Sequence, residues 1–263
     1  MAFASVSFGR LHYRDIGRRD APPVVFINSL GTDMRIWDGV VERLTADYRI
    51  VTFDKRGHGL SSIPAGPYSI DGLAEDVLEL ADHLGLEAFA VVGVSIGGMI
   101  ALRLAIDHPE RLAAVVACDT AAKIGDADTW NGRIDTARVS GMAALADGVL
   151  LRWFPESIRE GRAAEIERWR DLLLLTPVEG YAATCAALRD ADLTDEVSTI
   201  SVPTLVVVGD VDQSTPVALV RETAARIPGA RFEIIDRAGH IPSIDQPETL
   251  ARLIRHHLEA AHG

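Results

Sequence analysis

The sequence predicts an α/β fold: a mainly parallel eight-stranded sheet flanked by helices, with a helical cap inserted between its two parts. Three observations carry this reading. Short apolar runs alternate with helical patterns through residues 1–120 and again through 191–263, and such alternation builds parallel strands covered on both faces. Between them, residues 121–190 change to helical segments only, rich in Ala, Leu and Arg, which reads as the cap. At Gly93-Val94-Ser95-Ile96-Gly97 an apolar run passes directly into a helical pattern, so Ser95 sits where a buried strand turns sharply into a helix.

The elements follow in order from periodicity and turn residues. A hairpin is expected at about 4–8 and 11–16, then a strand at 24–27 and a helix near 34–46. Next come a strand at 49–53, a helix at 70–84, the strand at 88–92 with its helix at 98–107, and a strand at 112–117. After the all-helical stretch, strands are expected at 203–208 and 231–235, with Thr215-Pro216 opening the helix between them.

Small residues at both ends of the pentapeptide let strand and helix pack closely while the serine hydroxyl is held exposed in a strained turn. Alone, the pattern reads by default as an ordinary glycine-rich turn, because glycine and serine are common, and a serine nucleophile needs a base and an acid. The chain supplies both, in the order Ser, Asp, His. Gly209-Asp210-Val211-Asp212 follows one strand, and Ala238-Gly239-His240-Ile241-Pro242 follows the next. Ser95, Asp212 and His240 are therefore the candidate catalytic residues. Two other acids compete for the third role: Asp210, two residues nearer its strand, and Asp119, just after the strand at 112–117. Asp212 is preferred because it lies further into the loop that must reach His240.

Backbone amides of Leu30, in the loop after the strand at 24–27, and of Ile96, which follows the nucleophile, are the expected oxyanion donors. The stretch Asp54-Lys55-Arg56-Gly57-His58-Gly59-Leu60-Ser61 lacks the Gly-Lys-Ser/Thr ending of a phosphate loop and the third glycine of a dinucleotide fingerprint. It is read as a structural turn, with Asp54 and Arg56 in local hydrogen bonds.

At 263 residues and 48% hydrophobic content, the chain suits one large domain. It has no apolar run long enough for a bilayer, and residues 1–10 lack the pattern of a signal peptide, so a cytoplasmic enzyme is expected. The formal charge of -12 argues against nucleic-acid and anionic-membrane partners, which require a basic footprint. Cys118 and Cys185 have neither metal nor redox spacing, and His256, His257 and His262 read as solvent-exposed. No metal and no organic cofactor is expected.

These motifs resemble the α/β-hydrolase superfamily over nearly the whole length. Within it, Asn28-Ser29-Leu30-Gly31-Thr32-Asp33, Gly66-Pro67-Tyr68-Ser69-Ile70, Asp119 to Gly125 followed by Trp130, Arg152-Trp153-Phe154 and Glu179-Gly180-Tyr181-Ala182 are similar to the 3-oxoadipate enol-lactonases. One departure is Asn28-Ser29, where many relatives have His-Gly. The resemblance implies cofactor-free opening of a small, carboxylate-bearing enol-lactone to 3-oxoadipate in aromatic catabolism. Trp130, Trp153 and Phe154 are then candidate lid residues, and Arg133, one helical turn beyond Trp130, is the candidate donor to the substrate carboxylate. General carboxylesterases, carbon-carbon bond hydrolases, perhydrolases and ligand-sensing receptors share the same frame. The dehalogenases and epoxide hydrolases of this fold carry Asp at the elbow, so Ser95 disfavours them.

Overall fold

The computed structural model describes residues 2–262; Met1 and the His262 side chain lie outside the described residues. Strands β1 (Ala2–Val6), β2 (Gly9–Ile16), β3 (Pro23–Ile27), β4 (Arg49–Phe53), β5 (Phe89–Val94), β6 (Leu112–Cys118), β7 (Thr204–Gly209) and β8 (Arg231–Ile235) form one sheet in the order β1-β2-β4-β3-β5-β6-β7-β8. The β1/β2 hairpin pairs antiparallel, as does β2 with β4, and every later pairing is parallel. Strands β4, β5 and β7 are buried along their whole length, whereas the edge strand β1 is buried only at Ala4. This is the difference between an unbroken apolar run covered on both faces and an edge that meets solvent.

Helices α1 (Asp38–Leu44), α2 (Ile70–His83), α3 (Ile96–Asp107), α9 (Val217–Arg226), α10 (Pro242–Asp245) and α11 (Pro247–His262) flank the sheet, with α1 packed on α11 and α2 on α3. In α2 the buried positions Ile70, Leu73, Ala74, Val77, Leu78 and Ala81 form one helical stripe, and the Ser69 hydroxyl caps the first turn by accepting from the Gly72 amide. Between β6 and β7 the chain runs through α4 (Ala127–Ser140), α5 (Ala143–Trp153), α6 (Glu156–Gly161), α7 (Ala163–Leu174) and α8 (Val178–Asp190). Among the described residues no helix is long and apolar enough to cross a membrane.

Several elements differ from the sequence reading, beginning with the hairpin, whose strands are Ala2–Val6 and Gly9–Ile16 rather than 4–8 and 11–16. The helix expected at 34–46 is a 3₁₀ turn at Met34–Trp37, capped by the Asp33 carboxylate, that leads into the shorter α1. Strand β5 runs on to Val94 because Gly93 and Val94 pair with Ala117 and Cys118, and α3 starts at Ile96 rather than 98. His257 is buried, not exposed: it lies on the apolar stripe of α11 with Leu250, Ala251, Ile254 and Leu258, and shares a 3.2 Å hydrogen bond with the Pro203 carbonyl. His256, on the outer face, bonds Arg231. Cys118 and Cys185 are both buried free thiols.

Candidate active site

Ser95 stands between β5 and α3 with φ 59° and ψ -122°, a sparsely populated conformation that costs an L-residue on the order of 1–3 kcal/mol. Three bonds hold it there. Its amide donates to the Cys118 carbonyl (2.9 Å), and its carbonyl accepts from the Met99 amide (3.1 Å) and the Thr120 hydroxyl (2.7 Å). The flanking glycines are required sterically: a Cβ at Gly93 would overlap the Gly97 backbone, and one at Gly97 would overlap the Ile27 carbonyl.

The sheet order places the loops after β7 and β8 side by side. Asp212, in the first, accepts from the Ser214 amide (2.7 Å), the Thr215 amide (3.2 Å) and the Thr215 hydroxyl (2.5 Å), and its Oδ2 lies 2.9 Å from His240 Nδ1. Burial opposes its charge, yet the neighbouring His240 and these donors together hold its carboxyl below the usual range. The His240 amide donates to the Trp153 carbonyl at the end of α5 (2.9 Å), so the helical segment grips this loop. His240 Nε2 bonds no protein group among the described residues.

The competing acids sit elsewhere in the network. Asp210 Oδ1 accepts from the Ala238 amide (3.1 Å), tying the two loops together. Asp119 is fully buried with φ 47°, and its Oδ1 accepts from the Gly209 amide (2.8 Å). Burial, and next the Asp212 charge, push its carboxyl well above the usual range. Asp119, Asp212 and His240 could in principle share a metal ion, each offering a ligand atom within 4.8 Å of the others. The Asp212–His240 bond and the donors around Asp212 already occupy much of that capacity.

Leu30 and Ile96 carry backbone amides that bond nothing among the described residues, and Leu30 lines the same cavity as Ser95. The loop carrying Leu30 is fixed from below. Asn28 bonds the Thr32 carbonyl, the buried Lys55 ammonium donates to the Ser29 carbonyl, and the Gly31 amide donates to His58 Nε2 (3.0 Å). Burial and the Lys55 charge depress the His58 pKa, so its Nε2 is free to accept while Nδ1–H faces the Arg56 carbonyl at 3.2 Å. Asp54 serves the same loop, accepting from the Met34 and Leu60 amides and bonding His12 Nδ1, and Arg56 pairs with Asp76. Sequence reading found the turn but not its role in holding the Leu30 loop, since residues 54–61 lie one strand away in sequence.

Ser95 and His240 line a cavity of about 130 Å³ with Ser29, Leu30, Trp130, Arg133, Arg152, Trp153 and Tyr181 among its walls. No carboxylate lines it. Trp130 anchors its indole on the Ile124 carbonyl (2.7 Å) and lies under the Arg133 guanidinium, 5.0 Å from the ring centre. Phe154 does not reach the cavity: it is buried, edge-on to Trp153 at 6.2 Å, because Trp153 takes the inward position at the end of α5. Arg152 and Tyr181 were missed by sequence reading. Neither Arg133 nor Arg152 has an acidic partner among the described residues, and burial together with Arg133 lowers the Arg152 pKa. The Tyr181 hydroxyl is buried with no hydrogen-bond partner, and burial raises its pKa, so it stays a donor.

The α/β hydrolase fold family matches residues 22–247. The chain belongs to the α/β-hydrolase family. This hydrolase is 37% identical to 3-oxoadipate enol-lactonase 2 of Acinetobacter baylyi, over 90% of its own length and 89% of that protein. The enol-lactonase from Burkholderia xenovorans LB400 matches its structure with a TM-score of 0.96 at 40% identity, covering 98% of this chain and 100% of that one. A thermophilic esterase from Thermogutta terrifontis, solved with malate bound, gives a TM-score of 0.93 at 30% identity, covering 100% and 99%.

Proposed function

We propose that this hydrolase opens a small ester or enol-lactone that carries a carboxylate, with 3-oxoadipate enol-lactone as the substrate its relatives' names indicate. One observation carries the substrate class. Two arginines without acid partners among the described residues, Arg133 and Arg152, stand with the buried Tyr181 hydroxyl in the wall of the cavity that holds Ser95 and His240. Arg133 is half-buried and Arg152 exposed, so in a chain of formal charge -12 this acid-free wall is a local patch of positive potential that a substrate carboxylate can meet through charge-assisted hydrogen bonds. The malate bound to the Thermogutta esterase agrees with a carboxylate ligand. The cavity is smaller than the ~300–1,000 Å³ typical of drug-sized ligands, which suits a small ring.

In this reading Ser95 Oγ attacks the lactone carbonyl as His240 Nε2 takes its proton, and Asp212 orients the imidazole and stabilises its charged form. The oxyanion receives the Leu30 and Ile96 amides. Collapse expels an enolate, stabilised by resonance and protonated from His240, and water activated by the same imidazole frees the acyl group from Ser95. Residues 121–190 act as a cap on a core of 1–120 and 191–263, supplying Trp130, Arg133, Arg152, Trp153 and Tyr181 to the pocket.

The test compares two substrates. Arg133→Ala is expected to lower kcat/KM for the enol-lactone by roughly 1.5–3 kcal/mol, ten- to more than a hundredfold, and to leave nitrophenyl acetate hydrolysis nearly intact. Arg152→Ala is expected to follow the same pattern. Equal losses on both substrates, or none on either, would remove the carboxylate from the assignment.

A further inference from the structure

Asp119 is a buried acid beside Asp212 to which the mechanism gives no work. One of its oxygens, one of Asp212 and a ring nitrogen of His240 lie within 4.8 Å of one another. Two carboxylates this close and out of water, with the imidazole bonded to only one of them, do not both ionise. The surrounding donors decide which keeps the proton. Asp212 receives the Ser214 amide, the Thr215 amide, the Thr215 hydroxyl and His240 Nδ1. Asp119 receives the Gly209 amide at Oδ1, and its Oδ2 meets no donor at all. The negative charge therefore belongs on Asp212 and the proton on Asp119, whose unsatisfied oxygen has an acceptor for a neighbour.

We propose that Asp119 is a positioning residue: a neutral carboxyl whose O–H donates to the Asp212 carboxylate and holds it in register with His240 Nδ1. The 2.8 Å bond from the Asp119 amide to the Val207 carbonyl fixes its backbone on β7, and the Gly209 amide holds its carboxyl there, on the strand whose following loop bears Asp212. The other ionisable groups that act on it fit this state. Cys118 is a buried thiol whose pKa burial pushes well up, so it puts no charge beside Asp119. Asp245, raised to about 7 by burial, adds further negative potential once ionised.

The inference rests on the reading of Ser95, Asp212 and His240 as a triad, and its test includes a measurement independent of turnover. An infrared spectrum at pH 9, where Asp245 and Asp76, raised to about 7 and about 6, are ionised, is expected to show the C=O stretch of a buried protonated carboxyl. That band should be missing in Asp119→Asn; a wild-type spectrum without it overturns the proposal whatever the enzyme hydrolyses. For turnover, kcat and KM are measured across pH with a neutral nitrophenyl ester. Asp119→Ala is expected to lower kcat roughly ten- to a hundredfold with KM little changed, and to move the acid limb of kcat/KM to higher pH, because Asp212 without its donor holds a proton on His240 more firmly. Asp119→Asn, whose amide can accept from Gly209 and donate to Asp212, should restore most of that rate and return the limb to its wild-type position. A limb displaced to lower pH in Asp119→Asn would mean that Asp119 is an anion. An Asp119→Ala enzyme with wild-type kcat and profile but reduced thermal stability would leave Asp119 a purely structural link. Inactivity of wild type with every ester would instead defeat the triad reading, and the infrared band would still decide the protonation of Asp119.

Discussion

At the scale of single residues, the site depends on a serine forced into a backbone region that disfavours it and on the groups that make that position tolerable. Ser95 keeps φ 59° because its own amide and carbonyl are bonded to Cys118, Met99 and Thr120, and because Gly93 and Gly97 leave room for crossing backbone. Ser95→Ala retains the Cβ and all three of these backbone bonds. It is therefore expected to unfold within a few degrees of wild type while losing activity by about a thousandfold or more, as a triad member should. His240→Ala should lose a similar amount. Esterase assays beside thermal melts check both, and either variant retaining most of the wild-type rate would dismiss the serine mechanism. The pentapeptide and the order Ser, Asp, His were legible because each is a local signal beside a strand end. In the sequence the preference for Asp212 over Asp119 rested on loop length alone; in the structure His240 Nδ1 lies 2.9 Å from Asp212.

At the scale of elements, the turn leading into α10 carries the candidate base, and Asp245 closes it by accepting the Gly239 amide at 2.7 Å. Its other oxygen is buried without a donor. Burial is the main cause of its pKa rising from 3.8 to about 7, against the opposing pull of the Gly239 amide and Arg162. An acid raised in the folded state binds its proton more tightly there than in the unfolded chain. Its contribution to stability is complete below about pH 4 and is lost as pH rises through about 7. Between pH 5 and pH 9 wild type should therefore lose more stability than Asp245→Asn, by on the order of 2–4 kcal/mol. Urea midpoints at the two pH values measure this difference, which cancels the shared contribution of Asp76, and parallel pH dependences would exclude the effect. The sequence showed the turn and its histidine through glycine and proline, but not Asp245, which reaches back over the loop only after α10 has folded. The helix expected at 34–46 failed for a related reason: Asp33 caps a 3₁₀ turn there, and periodicity does not separate that turn from the first turn of an α-helix.

Across the whole molecule, the sheet order brings the loops after β6, β7 and β8 beside the elbow, at the carboxyl ends of the parallel strands where such sheets hold their ligands. The helices between β6 and β7 close over this edge. They are joined to it by the His240–Trp153 backbone bond and by Arg162, which donates to the Ile244 and Asp245 carbonyls. The donors on Asp212 and its bond to His240 Nδ1 take up ligand positions that an ion at this cluster would need, so dialysis against a chelator is expected to leave the turnover rate unchanged. A rate that collapsed and returned with a divalent ion would assign an ion to the Asp119, Asp212 and His240 cluster instead.

By itself the sequence determined the alternation of strands and helices, the all-helical stretch, the elbow and the loops that carry an acid and a base, because periodicity and turn chemistry are written into neighbouring residues. Tertiary structure alone decided which of those loops touch. Arg152 became part of the pocket only when α5 packed against α4, which carries Arg133 and itself packs on α8 with Tyr181. Lys55 and His58 came to support the Leu30 loop only when β4 lay beside β3, and His257 was buried by the packing of α11. Local patterns specify elements, whereas lateral strand order and helix packing bring together residues far apart in the chain, and no spacing in the sequence records that adjacency.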